Sequence, residues 1–387
     1  MKKFLIVLVV LAPILVGVVA FRNRGENPDP GPGVSTVEPT GTPTSEPTGE
    51  PTTQPTDQPT SEPTDQPTVQ PTGDPTDQPT VEPTNEPQKD AVRFAVLSGP
   101  TGVGAAKLLS DADKGVALNA YDYLIATENT ELVAALNKCE VDIATVASNV
   151  ALNLYNKTDG AVRIIALGTE GVLHILEGSG GTNIQSVEDL AGETIYSPGQ
   201  GANPEYILRY LLTQYGLDPD EDVNIVFAEA AEIQAKLLSG EIKYAMLPVP
   251  AATAAIIKGG GKVRAAVDVT EAWEEMSNGS RLIMTAVVAR TEFIEKNPEA
   301  VNNFLKEYEA SINFVNSNHD EAAELIAGYG ITPNAAIAKQ AIPQCHLIYI
   351  AGRDMVSAIS DYFMILFNVS PDSVGGGLPD SAIYYVP

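Results

Sequence analysis

The chain has 387 residues, 44% of them hydrophobic, and a formal net charge of −27. That length allows a sizeable core or two lobes. The acidic balance argues against nucleic acid or anionic lipid as partners of the folded part, since both need a basic footprint. Two cysteines, Cys139 and Cys345, are too few for a disulfide framework. Two buried thiols are the preferred reading over a single bridge.

Lys2 and Lys3 precede an uncharged run from Phe4 to Phe21, and Arg22 and Arg24 follow it. A basic start followed by an apolar run marks a membrane-targeting segment. As a helix this run would span about 27 Å, close to the ~30 Å hydrocarbon core. The span favours an uncleaved membrane anchor over residues 1–24. The alternative is a signal peptide cut after Val18-Val19-Ala20, which would secrete the chain. No cysteine follows the apolar run to carry a lipid.

Thirteen prolines then stand at every fourth position from Pro39 to Pro87, and twelve are followed by threonine. Regular proline removes backbone donors and excludes helix. Units of Pro, Thr, Glu, Gln and Asp bury too little apolar surface to offset chain entropy. A disordered, acidic linker is expected over 25–90. At the polyproline rise its contour is about 200 Å.

From residue 91 onward the pattern alternates strand and helix. Strands are expected at 92–97, 121–126, 142–146 and 162–167. Helices are expected from the Gly-rich turn Ser98–Gly102 to Leu109, over 131–138 with Thr130 as N-cap, and from Ser148 to Tyr155. A second run follows, with strands at 171–177, 194–197, 223–228, 244–247 and 263–269. A short helix (186–190) and helices over 205–215, up to Leu238 and from Pro250 separate them. A strand at 282–289 leads to a long helix after Pro298, and the chain to about Phe367 reads as mostly helical. This order implies parallel strands under helices on both faces, in two α/β lobes. Lobe 1 is expected at about 91–170 and 286–387, lobe 2 at about 176–268. A two-strand hinge would lie near 168–177 and 268–290.

In open parallel sheets, ligands bind at the carboxyl ends of the strands. Four turns there are small and polar: Ser98-Gly99-Pro100-Thr101-Gly102, Ser148-Asn149, Ser197 to Asn203 with Gly199, Gln200 and Gly201, and Pro248 to Pro250. They are the expected ligand-binding residues, contacting the solute through hydroxyls and helix N-terminal N–H groups. Tyr196, Tyr206 and Trp273 are candidates for an apolar cleft wall, although such side chains more often pack in the core. Gly99 to Gly104 has the frame of a phosphate-binding loop, but Ala105-Ala106 stand where its lysine and hydroxyl are needed. No catalytic or metal-binding constellation is read from the three histidines. His174 reads as a hydrogen-bonded core residue and His319 as part of an exposed turn. His346 stands beside Cys345, and in a strand the two would point apart.

The motifs Ser98-Gly-Pro-Thr-Gly-Val-Gly-Ala-Ala-Lys-Leu-Leu109, Cys139-Glu-Val-Asp-Ile-Ala144, Tyr155-Asn-Lys-Thr158, Ile195-Tyr-Ser-Pro-Gly-Gln-Gly-Ala-Asn-Pro-Glu205, Met246-Leu-Pro248 and Val374-Gly-Gly-Gly-Leu-Pro379 resemble the substrate-binding proteins of ABC importers. The branch is the nitrate/sulfonate/taurine and thiamine-precursor type, and the resemblance covers 91–387. It implies a type II periplasmic-binding-protein fold with two lobes that close on a small organic or oxyanion solute. It further implies a monomeric, extracytoplasmic receptor without cofactor or catalysis. Its partners would be a membrane permease and that permease's ATPase subunit. A pyrimidine-synthesising enzyme on the same fold is one alternative, and a sensory or structural surface domain on a stalk is another. The missing lipid-bearing cysteine departs from the family, and residues 1–24 would supply the anchor instead.

Overall fold

The computed structural model describes residues 89–387. The expected membrane segment and nearly all of the expected linker lie outside the described residues. The chain first forms β1 (Ala91–Leu97), α1 (Pro100–Val103), α2 (Ala106–Asp113), β2 (Ala120–Ala126), α3 (Asn129–Asn137), β3 (Ile143–Ala147), α4 (Ser148–Lys157) and β4 (Val162–Thr169). It continues with β5 (Leu173–Glu177), β6 (Thr194–Ser197), α5 (Asn203–Gln214), β7 (Asn224–Phe227), α6 (Ala230–Ser239), β8 (Tyr244–Pro248), α7 (Ala251–Gly259), β9 (Arg264–Asp268) and α8 (Val269–Met276). The last part holds β10 (Thr285–Arg290), α9 (Thr291–Lys296), α10 (Pro298–Ser317), α11 (His319–Gly328), α12 (Ala335–Ala341), β11 (Leu347–Ala351) and α13 (Asp354–Val369).

Two mixed sheets result, ordered β11-β4-β10-β3-β1-β2 and β7-β6-β8-β5-β9. In the first, β1 runs parallel to β2 and β3, while β10 is antiparallel to β3 and β4, and β11 to β4. In the second, β6 runs parallel to β7 and β8, while β5 is antiparallel to β8 and β9. The expectation of parallel strands is therefore corrected at β5, β10 and β11. Parallel neighbours need a crossover of a dozen or more residues. β5 instead follows β4 directly from the other sheet, after residues 170–172. The strand β11 also interrupts a stretch expected to be helical. The expected N-cap at Thr130 moves to Glu128, whose extended backbone precedes α3.

Side-chain alternation sets the layers. On β8, Tyr244 and Met246 join the large core that runs through the first sheet and under α5. Ala245 and Leu247 point the other way, into a smaller core with Ile233, Leu237 and Ala255 of α6 and α7. β3 is buried at every position because helices cover both faces of its sheet. The segments between the sheets run side by side. Met284 N donates to Thr169 O at 3.0 Å, Val249 N donates to Val172 O at 2.8 Å, and the hydroxyls of Thr169 and Thr285 lie 2.6 Å apart. The C-terminal helix α13 packs on both β11 and α5.

Candidate functional site

A cavity of about 530 Å³ lies between the two sheets. That size suits a small-molecule ligand. Its walls are strand-to-helix turns from both sheets, those after β1 and β2 and those after β6, β7 and β8, with Ala147 at the end of β3. Val172, Leu173, Met284 and Thr285 close the side where the chain passes between sheets, and Gly330 to Pro333 close another.

Of the expected ligand-binding residues, Ser98, Gly99, Pro100, Thr101, Gly199, Asn203, Pro248 and Pro250 line this cavity. Gly99 and Gly199 adopt φ of 87° and 77°, a left-handed backbone that glycine takes without strain. Gly102 stands behind the wall, where an added Cβ would lie 2.6 Å from Leu97 O, so its role is to tighten the turn.

Ser148 and Asn149 also lie outside the lining, and both are buried. Ser148 Oγ donates to Ile283 O at 2.6 Å and accepts from Asn203 Nδ2 at 3.1 Å. Asn203 Nδ2 also donates to Met284 O at 2.9 Å, and Asn149 N donates to Asn203 Oδ1 at 3.4 Å. These residues brace the starts of α4 and α5 against the return segment. Ser197 is buried, with its Oγ donating to Pro198 O. Gln200 and Gly201 are exposed and absent from the lining. Gly201 N donates to Glu205 Oε2 at 2.8 Å.

The aromatic candidates are corrected as well, since none of the three lines the cavity. Trp273 is fully buried, donates from Nε1 to Ser280 O at 2.8 Å, and packs on Tyr210 and Tyr362. Tyr206 packs against the large core and Tyr196 against the smaller one.

Sequence reasoning missed the turns after β2 and β7, which bring Thr127, Glu128, Asn129, Glu229 and Ala230 into the lining, along with Gln234 of α6. Asn129 Oδ1 accepts from Ala147 N at 3.1 Å, and Gln234 Nε2 donates to Ala251 O at 2.9 Å. The charged lining residues among those described are Glu128 and Glu229. Partial desolvation and the neighbouring Glu229 carboxyl raise the Glu128 pKa.

The histidines and cysteines lie outside the cavity lining. His174 differs from expectation: its Nδ1 is buried without a hydrogen-bond partner, 3.7 Å from Asp268 Oδ2. Burial lowers its pKa more than Asp268 raises it. Cys345 is buried and its thiol is pushed up to about 12, whereas Cys139 is exposed, so the expected pair of buried thiols is half right. Cys345 and His346 precede β11 rather than lying in a strand, and His346 has φ of 41°. Among the described residues no cluster of acidic, histidine or cysteine side chains is grouped to hold a metal ion, and no helix is long and apolar enough to cross a membrane.

The two sheets and the cavity between them define a periplasmic-binding-protein-like fold, and the solved structures that match carry it too. One is an ABC transporter protein from Parabacteroides distasonis, 23% identical, covering 77% of this chain and 99% of that one, with a TM-score of 0.64. Another is the periplasmic aliphatic sulphonate binding protein SsuA from Escherichia coli, 16% identical over 78% and 93%, with a TM-score of 0.63. A third is the alkanesulfonate-binding protein from Xanthomonas axonopodis pv. citri bound to MOPS, 12% identical over 76% and 96%, with a TM-score of 0.59. The resemblance read from the sequence thus holds in the fold.

Residues 185–328 match the model of the NMT1-like family, and 35–68 and 54–89 match that of the PT disordered repeat. Comparison with curated proteins gave no match.

Proposed function

We propose that residues 91–387 form an extracytoplasmic solute-binding receptor that captures a small organic solute and delivers it to the permease of an ABC importer. The observation that carries this reading is the cavity of about 530 Å³ walled by turns from both sheets. A ligand touching both walls favours the state in which they are close. The two lobes are residues 91–170 with 286–387, and residues 176–268. The paired segments around Thr169, Val172 and Met284 serve as the hinge. The protein acts as a binder and not an enzyme, with ATP hydrolysis left to a partner subunit. Ser98 to Thr101, Gly199, Pro248 and Pro250 contact the solute, while Ser148, Asn149 and Asn203 hold the turns in place. The apolar run 4–21 tethers the receptor to the membrane, and the Pro/Thr repeat separates the two.

A thermal-shift screen of small organic solutes tests the reading. At a concentration of 100 Kd, a solute that binds only the folded state stabilises it by about 2.7 kcal/mol. At least one solute should raise the melting temperature of the wild-type chain. Ala251→Trp, which fills the cavity from the start of α7, should abolish the shift while the variant keeps its far-UV circular dichroism. A solute that still binds this variant would move the site elsewhere.

A further inference from the structure

Resting on the receptor reading, the charge of the cleft specifies the chemistry of its solute. Glu128 and Glu229 are its charged lining residues among those described, and they stand on opposite walls. Glu128 lies in the turn after β2 of the first sheet, and Glu229 in the turn after β7 of the second. Each occupies the N-cap position of the following helix, and neither side chain bonds that helix. Glutamate, unlike Asp, Asn, Ser or Thr, is not a side chain that ordinarily caps a helix N-terminus. Both side chains are exposed, and the Glu229 charge helps to raise the Glu128 pKa. Two carboxylates facing one cleft favour a cation there over an anion.

The rest of the lining offers an oxyanion little. The described lining contains no lysine, arginine or histidine, and Pro100, Pro198, Pro250 and Pro333 make much of it apolar. The formal charge of −19 on residues 89–387 also draws cations toward the domain.

We propose that the cleft takes an organic cation, with an apolar body against the proline-rich walls and a protonated amine held between Glu128 and Glu229. The ammonium donates to both carboxylates and ties one wall to the other. Closure and charge recognition are then the same event. An alkanesulfonate, the ligand class of the Xanthomonas axonopodis protein, would meet two carboxylates and no cation in this lining.

The test uses the full-length chain and a panel of primary amines, each with the alcohol and the sulfonate of the same carbon skeleton. Thermal shift ranks them and calorimetry measures those that bind. At least one amine should bind more tightly than its alcohol, and its sulfonate should not bind. Replacing both acids, by Glu128→Gln with Glu229→Gln, should weaken the amine about tenfold or more, and weaken it more than the alcohol. A sulfonate that binds more tightly than its amine, or an unchanged amine affinity in the double variant, overturns the proposal. So does calcium chloride alone if it gives a shift that the double variant loses, because the acids would then be an inorganic cation site. If only alcohols bind, the organic-cation assignment falls and the receptor reading stands. If no member of any class binds, both fall.

Discussion

Asp142 shows how one side chain can hold three strands together. It sits just before β3, is 3% exposed, and accepts from the backbone N and Nε of Arg93 on β1 at 3.0 and 2.9 Å. It also accepts from Arg290 at the end of β10, at 2.7 Å. Burial alone would raise its pKa, but the hydrogen bonds from Arg93 and Arg290 outweigh burial and hold it below the ordinary carboxylate range. A group depressed in this way contributes stability that is full above its unfolded value of about 3.9 and is lost as pH falls through the native value. Asp142→Asn leaves two guanidinium groups short of their acceptor, with Arg290 the more buried of the two. We expect a loss of about 2–4 kcal/mol near neutral pH, discounted from the range for buried pairs because Arg93 is partly exposed. Urea unfolding should also show that the gap between wild type and variant narrows below pH 4. A constant gap down to pH 2 would mean that the charge is irrelevant.

Among the elements, α8 and the return segment behind it depend on Trp273. Its ring packs 4.8 Å from Tyr210 of α5 and 5.5 Å from Tyr362 of α13, and its indole N–H caps Ser280 O. Trp273→Ala should cost about 3–5 kcal/mol and Trp273→Phe about 1–2 kcal/mol, read from denaturant midpoints. Because Trp273 does not line the cavity, solute affinity of the folded fraction should be unchanged in Trp273→Phe. A loss of affinity beyond threefold would restore Trp273 to the cleft wall.

The same residue shows what the sequence made legible. The alternation of apolar runs revealed nearly every strand and helix from 91 to 317, and the carboxyl-end rule pointed to three walls of the cavity, those after β1, β6 and β8, and to Ser148 and Asn149 behind the lining. Applied to the strands ending at Ala126 and Phe227 as well, it would have found Glu128 and Glu229. Composition cannot say whether a tryptophan or a Ser-Asn pair faces the cleft or braces it from behind, since that depends on which helix packs on α5. It could not foresee antiparallel β5 and β10 either. The alternation rule holds within a sheet and fails where the chain changes sheets.

For the whole molecule, charge and length together bear on where the receptor works. The net charge of −27 divides into +4 over residues 1–24, −12 over 25–88 and −19 beyond. An acidic domain adsorbs poorly to an anionic membrane surface, so any retention there would come from the apolar run 4–21. If that run is an uncleaved anchor, the chain should pellet with membranes, resist high salt and alkaline carbonate, and dissolve only in detergent. Deleting residues 4–21 from a chain exported by another signal should release it without changing solute affinity, because the cavity is built wholly from residues 97–333. Recovery of the wild-type chain in the soluble fraction, with a mature N-terminus near Phe21, would make the segment a cleaved signal and the Pro/Thr repeat a spacer without a tether. Release by salt alone would point to a peripheral contact through Lys2, Lys3, Arg22 and Arg24. Those four basic residues are a weak footing for such a contact, since the acidic stretch that follows them repels the same surface.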